Sequence, residues 1–221
     1  MAYATEPGIG VWTAADLVER FGPIPLDRVR FDPLPGLATE QDVVEIRDHE
    51  DRLYELVDGV LVEKDMGTYE SYLAVLIARF LGNFVSQRDL GIVLGADGMM
   101  RLAPGLVRIP DVSFLSWERL PGRAIPDQPI ADLVPDLAVE VISRGNTREE
   151  MQGKLSEYFG AGVRLVWYVY PRPQPEVWVH RAPGQFTVLT AEQVLDGGDV
   201  LPGFRLELAT LFAARPGAPS A

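Results

Sequence analysis

The chain has 221 residues, 24% of them charged, with a formal net charge of −12. That length supports one sizeable core rather than two domains, and the acidic balance argues against a broad basic surface for nucleic acid, though not against a local basic or metal-neutralised cleft. With no cysteine and two histidines far apart, His49 and His180, thiolate chemistry is excluded and a His-based metal site or Ser-His-Asp triad has little material.

The N-terminus shows no basic region followed by an apolar run, and no uninterrupted apolar stretch of about 18 residues occurs. The expectation is a cytoplasmic protein with no membrane span. Residues 1–10 read as frayed. Residues 13–21 form a short amphipathic helix capped by Thr13 and stopped by Gly22. Residues 22–38, with Pro23, Pro25, Pro33, Pro35 and Gly36, read as an extended arm on the surface. A second short helix fits 39–46.

Asp58-Gly59 between the apolar runs 53–57 and 60–64 predicts a hairpin. Glu55 lies in its first strand, as an edge carboxylate or a site acid. Leu73, Leu76, Ile77, Phe80, Leu81 and Phe84 share one helical face, with Gly67-Thr68 ahead of them. Glu70 falls in the first turn of that helix, near its apolar face. It either serves the helix dipole or reaches inward to a site. Strands at 92–94, 99–102 and 109–115, joined by Gly-rich turns, suggest an antiparallel meander. Asp111, Ser113 and Leu115 would share one face. A proline-rich connection over 116–136 wraps the surface.

Residues 137–142, Leu-Ala-Val-Glu-Val-Ile, suit a strand buried on both faces. A carboxylate in its middle, Glu140, is costly unless it is paired or holds a metal. A helix follows from 148 to about 161, burying Met151, Leu155, Tyr158 and Phe159, and ending at Gly160 and Gly162. Lys154 lies on the flank of that stripe. A surface pair with Glu150 is the plain reading; a site lysine is the sharper one. Strand 164–170 completes a parallel βαβ unit. A hairpin around Pro183-Gly184 and a closing segment at 201–212 follow, and the tail frays. Asp111, then Glu140 on a central strand, then a nearby lysine is what a metal-dependent phosphodiesterase needs. Carboxylates hold a hard cation such as Mg²⁺, and the lysine orients or polarises water. Singly, such a strand acid is more often at an edge, solvated or paired with an arginine than a ligand.

The ordered set Tyr54–Gly59, Pro110-Asp111-Val112, Pro135–Ser143, Lys154–Tyr158, Ala161-Gly162-Val163, Trp167 and Leu201–Phe204 resembles the PD-(D/E)XK nuclease superfamily. More closely, it resembles that superfamily's Uma-type branch of restriction-endonuclease-like proteins, over roughly residues 50 to 212. The resemblance implies an α/β (α+β) fold, a mixed β-sheet flanked by helices. Here it would carry an N-terminal arm (1–48), a nuclease-like domain (49–213) and a tail (214–221). It implies Asp111 and Glu140 as metal ligands with the backbone of Val141, Glu70 as a direct or water-mediated ligand, and Lys154 as the catalytic lysine. Ile142 stands where the superfamily's short motif has lysine, and Ser143-Arg144-Gly145 departs from the family's Ser-Pro-Ser.

The expected activity is hydrolysis of DNA phosphodiester bonds with Mg²⁺, or Mn²⁺, as cofactor. The alternative is a nuclease-fold module that no longer cuts and acts by binding or oligomerising. A third reading, hydrolysis of a small phosphate ester, requires a closed pocket. The aromatic strands around Trp167 and Trp178, with the arm, suggest a homodimer or higher homo-oligomer.

Overall fold

The chain builds two main sheets, and the functional residues fall where it passes from one to the other. The computed structural model describes residues 10–213; all but the last residue of the start expected to fray (1–10), and the tail from 214, lie outside the described residues.

Helix α1 (Ala14–Phe21) is capped by Thr13, with Asp16 completing the capping box, and ends at Gly22. Helix α2 (Glu40–Glu50) runs longer than the sequence suggests, to a left-handed Asp51. Strands β1 (Tyr54–Val57) and β2 (Val60–Glu63) form the Asp-Gly hairpin, with Asp58 and Gly59 both at positive φ. Helix α3 (Thr68–Gln87) is followed by β3 (Gly91–Leu94), β4 (Met100–Ala103), β5 (Leu106–Arg108) and β6 (Val112–Ser116). Then come β7 (Leu137–Val141), α4 (Arg148–Ala161), β8 (Leu165–Tyr170), β9 (Glu176–Ala182) and β10 (Gln185–Thr190). Strands β11 (Val194–Gly197) and β12 (Leu201–Glu207) and helix α5 (Leu208–Ala213) close the chain.

The expected meander is only partly present. β4 and β5 pair as a hairpin, but β3 pairs with β6 and β5 pairs with β1. The result is a four-stranded sheet ordered β2-β1-β5-β4 and a six-stranded sheet ordered β10-β9-β8-β7-β6-β3. β7 and β8 are parallel and their neighbours antiparallel, so the large sheet is mixed. β11 and β12 pair apart as a small ribbon.

Alternation decides which helix covers which face. On the large sheet Val112, Phe114, Leu137, Val139 and Trp167 pack against Leu73, Ile77 and Leu81 of α3. Leu115, Ala138, Val166 and Tyr168 face the other way, onto Met151 and Tyr158 of α4. Burying each of the valine, leucine, isoleucine, phenylalanine and methionine side chains contributes about 1.5–3 kcal/mol. On the small sheet Tyr54, Leu56 and Leu61 meet α2, while Val57, Val60 and Val62 meet α1 and the arm.

The arm is therefore not a surface strap. Ile24 and Val29 are buried in that last cluster, and Arg28 is buried beside them. Proline-rich composition marks an irregular backbone but is silent about which side chains turn inward. Trp167 is fully buried, so it is no part of a surface available to another subunit. No helix among the described residues is long and apolar enough to cross a membrane.

Candidate active site

β7 is the central element. All five of its residues are buried, and Glu140 faces α4. The β6–β7 ladder pairs Val112 with Val139, and extending it by one residue sets Asp111 opposite Glu140. Asp111 sits on the short link Ile109-Pro110-Asp111 by which the chain leaves β5 in the small sheet and enters β6 in the large one. Pro110 lacks the N–H of a ladder residue, which suits it to that crossing. The Asp111 carboxylate accepts a hydrogen bond from the Val141 backbone N–H at 2.6 Å, which locks the two strands at this level.

Around this pair lies a small enclosed cavity of about 10 Å³, lined by Arg28, Glu55, Lys64, Asp65, Asp111, Glu140, Val141, Asn146 and Lys154. That is about one water's worth of space. Four carboxylates and three cationic side chains thus share one low-dielectric pocket. Lys154 Nζ lies 3.1 Å from Glu55 and 3.3 Å from Glu140. The surface pair of Glu150 with Lys154 is not formed. Both residues are buried, and Glu150 instead takes the Arg28 guanidinium through two bonds of 2.9 and 3.0 Å. Tyr158, one turn beyond Lys154, donates its hydroxyl to Glu140 Oε1 at 2.5 Å.

Glu55 is no edge carboxylate. β5 covers the open side of β1, and Glu55 is 1% exposed. It bonds Arg108 at 2.7 Å and the Ile109 N–H at 3.1 Å. Lys64, at the end of β2, reaches Asp111 at 2.6 Å and also bonds the Ile109 carbonyl. Glu70 lies apart from the cavity lining; its carboxylate, also buried, pairs with Arg172 at 2.8 Å. Asp111, Glu140, Val141 and Lys154 are thus gathered at one place, and Glu70 is not among them.

The electrostatics separate the two glutamates. Burial alone would push the Glu55 carboxyl up, but Lys154, Arg108 and Lys64 together hold it down at about 2. Glu140 goes the other way. Burial raises it, and Asp111 and Glu55 add to the rise, against the opposing pull of Lys154. Burial disfavours the Lys154 ammonium, yet Glu140 and Glu55 more than offset it, and the group stays protonated. Burial and the same two carboxylates likewise push the Tyr158 hydroxyl well up. Glu55 is therefore a fixed anion that holds two cations, and Glu140 is an acid whose burial outweighs the charges that answer it. Carboxylates pushed apart in this way have separable chemical roles.

Among the described residues no three acidic or histidine side chains converge as a ready metal-binding group. The donor set nevertheless fits a hard divalent cation. Asp111 and Glu140 supply carboxylate oxygens side by side, the Val141 backbone is at hand, and Glu140 lacks full charge compensation. Lys64 now occupies the Asp111 oxygen that such a cation would share.

Lys64, Arg108 and Tyr158 were not assigned roles by sequence reasoning, and Glu55 was left between an edge carboxylate and a site acid. Tyr158 had a signal, since it stands one turn after Lys154 on the same stripe. Lys64 had a weaker one, a charge closing an apolar strand. Arg108 had none, because its partners lie far away in the chain.

The comparisons with known proteins bear on the fold and the family. A family model described as "Putative restriction endonuclease", Uma2, matches residues 40–209. The chain belongs to the Uma2 family. A crystal structure of a "putative nuclease belonging to DUF820" from Anabaena variabilis ATCC 29413 is similar to it, with a TM-score of 0.65 and 18% identity. The match covers 86% of this chain and 98% of that one. No curated protein matches. The nuclease-like fold expected from the sequence is borne out, and the chain is a Uma2-family nuclease-like protein.

Proposed function

We propose that this Uma2 protein is a metal-dependent endonuclease that hydrolyses DNA phosphodiester bonds at the Asp111–Glu140–Lys154 cavity. The observation that carries the reading is the convergence of a buried lysine on an under-compensated glutamate directly opposite an aspartate. A hard divalent cation, Mg²⁺ or Mn²⁺, would supply Lewis-acid polarisation of the phosphoryl group and activation of water. Asp111, Glu140 and the Val141 backbone would hold it.

Lys154 enters as an ammonium, because Glu140 and Glu55 keep it protonated. It is a poor general base. It donates hydrogen bonds, to orient water and to stabilise negative charge growing on the phosphate. Glu55 positions that ammonium, and Arg108 fixes Glu55. Tyr158 holds Glu140 Oε1 in place. Glu70 would join the ligand set only by exchanging its partner Arg172. The cytoplasmic location and the homo-oligomer expected from the sequence belong to the same reading, and sedimentation tests the second.

The test is calorimetric titration of Mg²⁺ and Mn²⁺ with a plasmid-nicking assay, on wild type, Asp111→Ala, Glu140→Gln and Lys154→Met. Expected are loss of metal binding and nicking together in the first two. Lys154→Met should retain metal and lose nicking by about two orders of magnitude or more. A folded wild type that binds neither metal overturns the reading in favour of a non-cutting module, with Glu140 a structural acid.

A further inference from the structure

A second, much larger cavity opens between α4 and the β9–β10 hairpin. Its volume is about 870 Å³, within the range of small-ligand pockets. It adjoins the carboxylate cavity, because Asn146 lines both. Its chemistry is unlike the rest of the chain. In a protein of net charge −12, with 32 acidic residues, no aspartate or glutamate among the described residues lines it. The one ionised side chain in its wall is Arg148, at the start of α4, which is exposed and makes no ion pair among the described residues.

The floor is aromatic. β8, β9 and β10 extend beyond the cover of α4, and alternation brings Tyr170, Trp178, His180 and Phe186 to the same face. Trp178 and Phe186 stack with ring centroids 4.8 Å apart and planes 3° from parallel. Tyr170 leans on Trp178 at 5.2 Å. The indole is held by its N–H, donated to Glu176 at 2.7 Å. Phe186 is 46% exposed, so its ring leaves the Trp178 stack open to a ligand at the cavity's edge. His180 also lines the cavity at 4% exposure, and neither of its ring nitrogens has a partner among the described residues. A buried polar ring without a partner calls for one.

From these observations, and resting on the nuclease reading above, we propose that this cavity seats an unpaired nucleobase of a single-stranded DNA whose backbone runs past Asn146 to the carboxylate cavity. Aromatic side chains accept any base by its π-face, and a base taken out of the helix needs such a platform. Arg148 supplies a phosphate contact at the wall of the cavity. The substrate class is therefore DNA with unpaired nucleotides, rather than uniform duplex.

The test is fluorescence anisotropy with a labelled oligothymidylate and with a duplex of equal length, in chelator so that no cleavage occurs. The proteins are wild type, Phe186→Ala and Arg148→Gln. Both replaced side chains are exposed, so the variants should fold, and thermal melting checks this. Expected is preference for the single strand in wild type, lost by roughly tenfold or more in Phe186→Ala. Arg148→Gln should weaken binding and flatten its salt dependence. Equal binding of single strand and duplex, no binding of either, or indifference to both substitutions overturns the proposal. So does a wild-type dimer that Phe186→Ala dissociates without changing oligonucleotide affinity, since a second copy would then be the occupant. Single-strand binding without cleavage on adding Mg²⁺ would remove the hydrolysis and leave this site. Duplex cleavage untouched by either substitution would remove this site and leave the hydrolysis.

Discussion

Replacing Arg28 with methionine should unfasten the N-terminal arm and loosen the site with it. Arg28 is 8% exposed and Glu150 1%. Besides its two bonds to Glu150, the guanidinium donates to the Glu63 carbonyl at 3.0 and 3.1 Å and to the Gly145 carbonyl at 2.7 Å. It thereby ties the arm to the end of β2, to the loop after β7 and to the first turn of α4. Arg28→Met leaves a buried carboxylate without its cation and two carbonyls without a donor. Breaking a buried pair from one side costs about 3–5 kcal/mol, a large share of a typical stability of about 5–15 kcal/mol.

The pH dependence should change as well. Burial pushes the Glu150 carboxyl up, but the Arg28 bond and the nearby Lys154 charge hold it below its ordinary value. In wild type the pair contributes stability at neutral pH that is lost as pH falls below the ordinary carboxylate range. The variant should lose that contribution. Urea unfolding at neutral and acidic pH measures both effects. Arg28→Met/Glu150→Gln should recover part of the loss, because it removes the stranded charge. A loss under about 1 kcal/mol, or strict additivity of the two substitutions, would refute the argument that this pair carries the arm.

Burial holds the His180 imidazole down at about 4, against an ordinary 6.5. The unfolded chain thus takes up a proton before the folded one does, and stability should fall as pH drops from about 6.5 toward about 4, by up to about 3 kcal/mol. His180→Phe should flatten that part of the profile in acid-titrated melting curves; an unchanged difference between the two proteins across this window would contradict it. Gly59 has φ +75°, and a Cβ there would stand 2.4 Å from the Gly36 carbonyl oxygen. Gly59→Ala should therefore cost about 2 kcal/mol or more, while Gly160→Ala, with nothing within 4 Å of its Cβ, should gain up to about 1 kcal/mol; thermal melting compares them.

Much of the scaffold was legible because it is encoded locally. Asp58-Gly59, Thr13 and the apolar stripe of α3 announce a turn, a cap and a buried face through a few neighbouring residues. The β7–α4–β8 unit was legible for the same reason: a short apolar run, a helix of ordinary length, then another run. The meander was misjudged because short connections favour local pairing, whereas β3 finds β6 and β5 finds β1 across longer stretches of chain. Glu55 stayed open between edge and site for that same cause, since only β5 converts its strand from an edge to an interior one. The arm was misread because proline content describes a backbone and not the destination of Ile24, Arg28 and Val29.

A carboxylate placed inside an apolar strand is already anomalous in one dimension, since no water can reach it there without a partner. Glu140 could be singled out on that ground alone, and Asp111 beside it on the face it shares with Ser113 and Leu115. Their charge balance could not. Whether Glu140 is raised and Glu55 depressed depends on Lys64, Arg108 and Lys154, which come from just after β2, from β5 and from α4 and meet only when the two sheets close on one another. Coulomb interactions in a water-poor cavity act over a few ångströms and take no account of chain separation. Periodicity along the chain therefore shows where a charge is buried, and the folded packing alone shows what answers it.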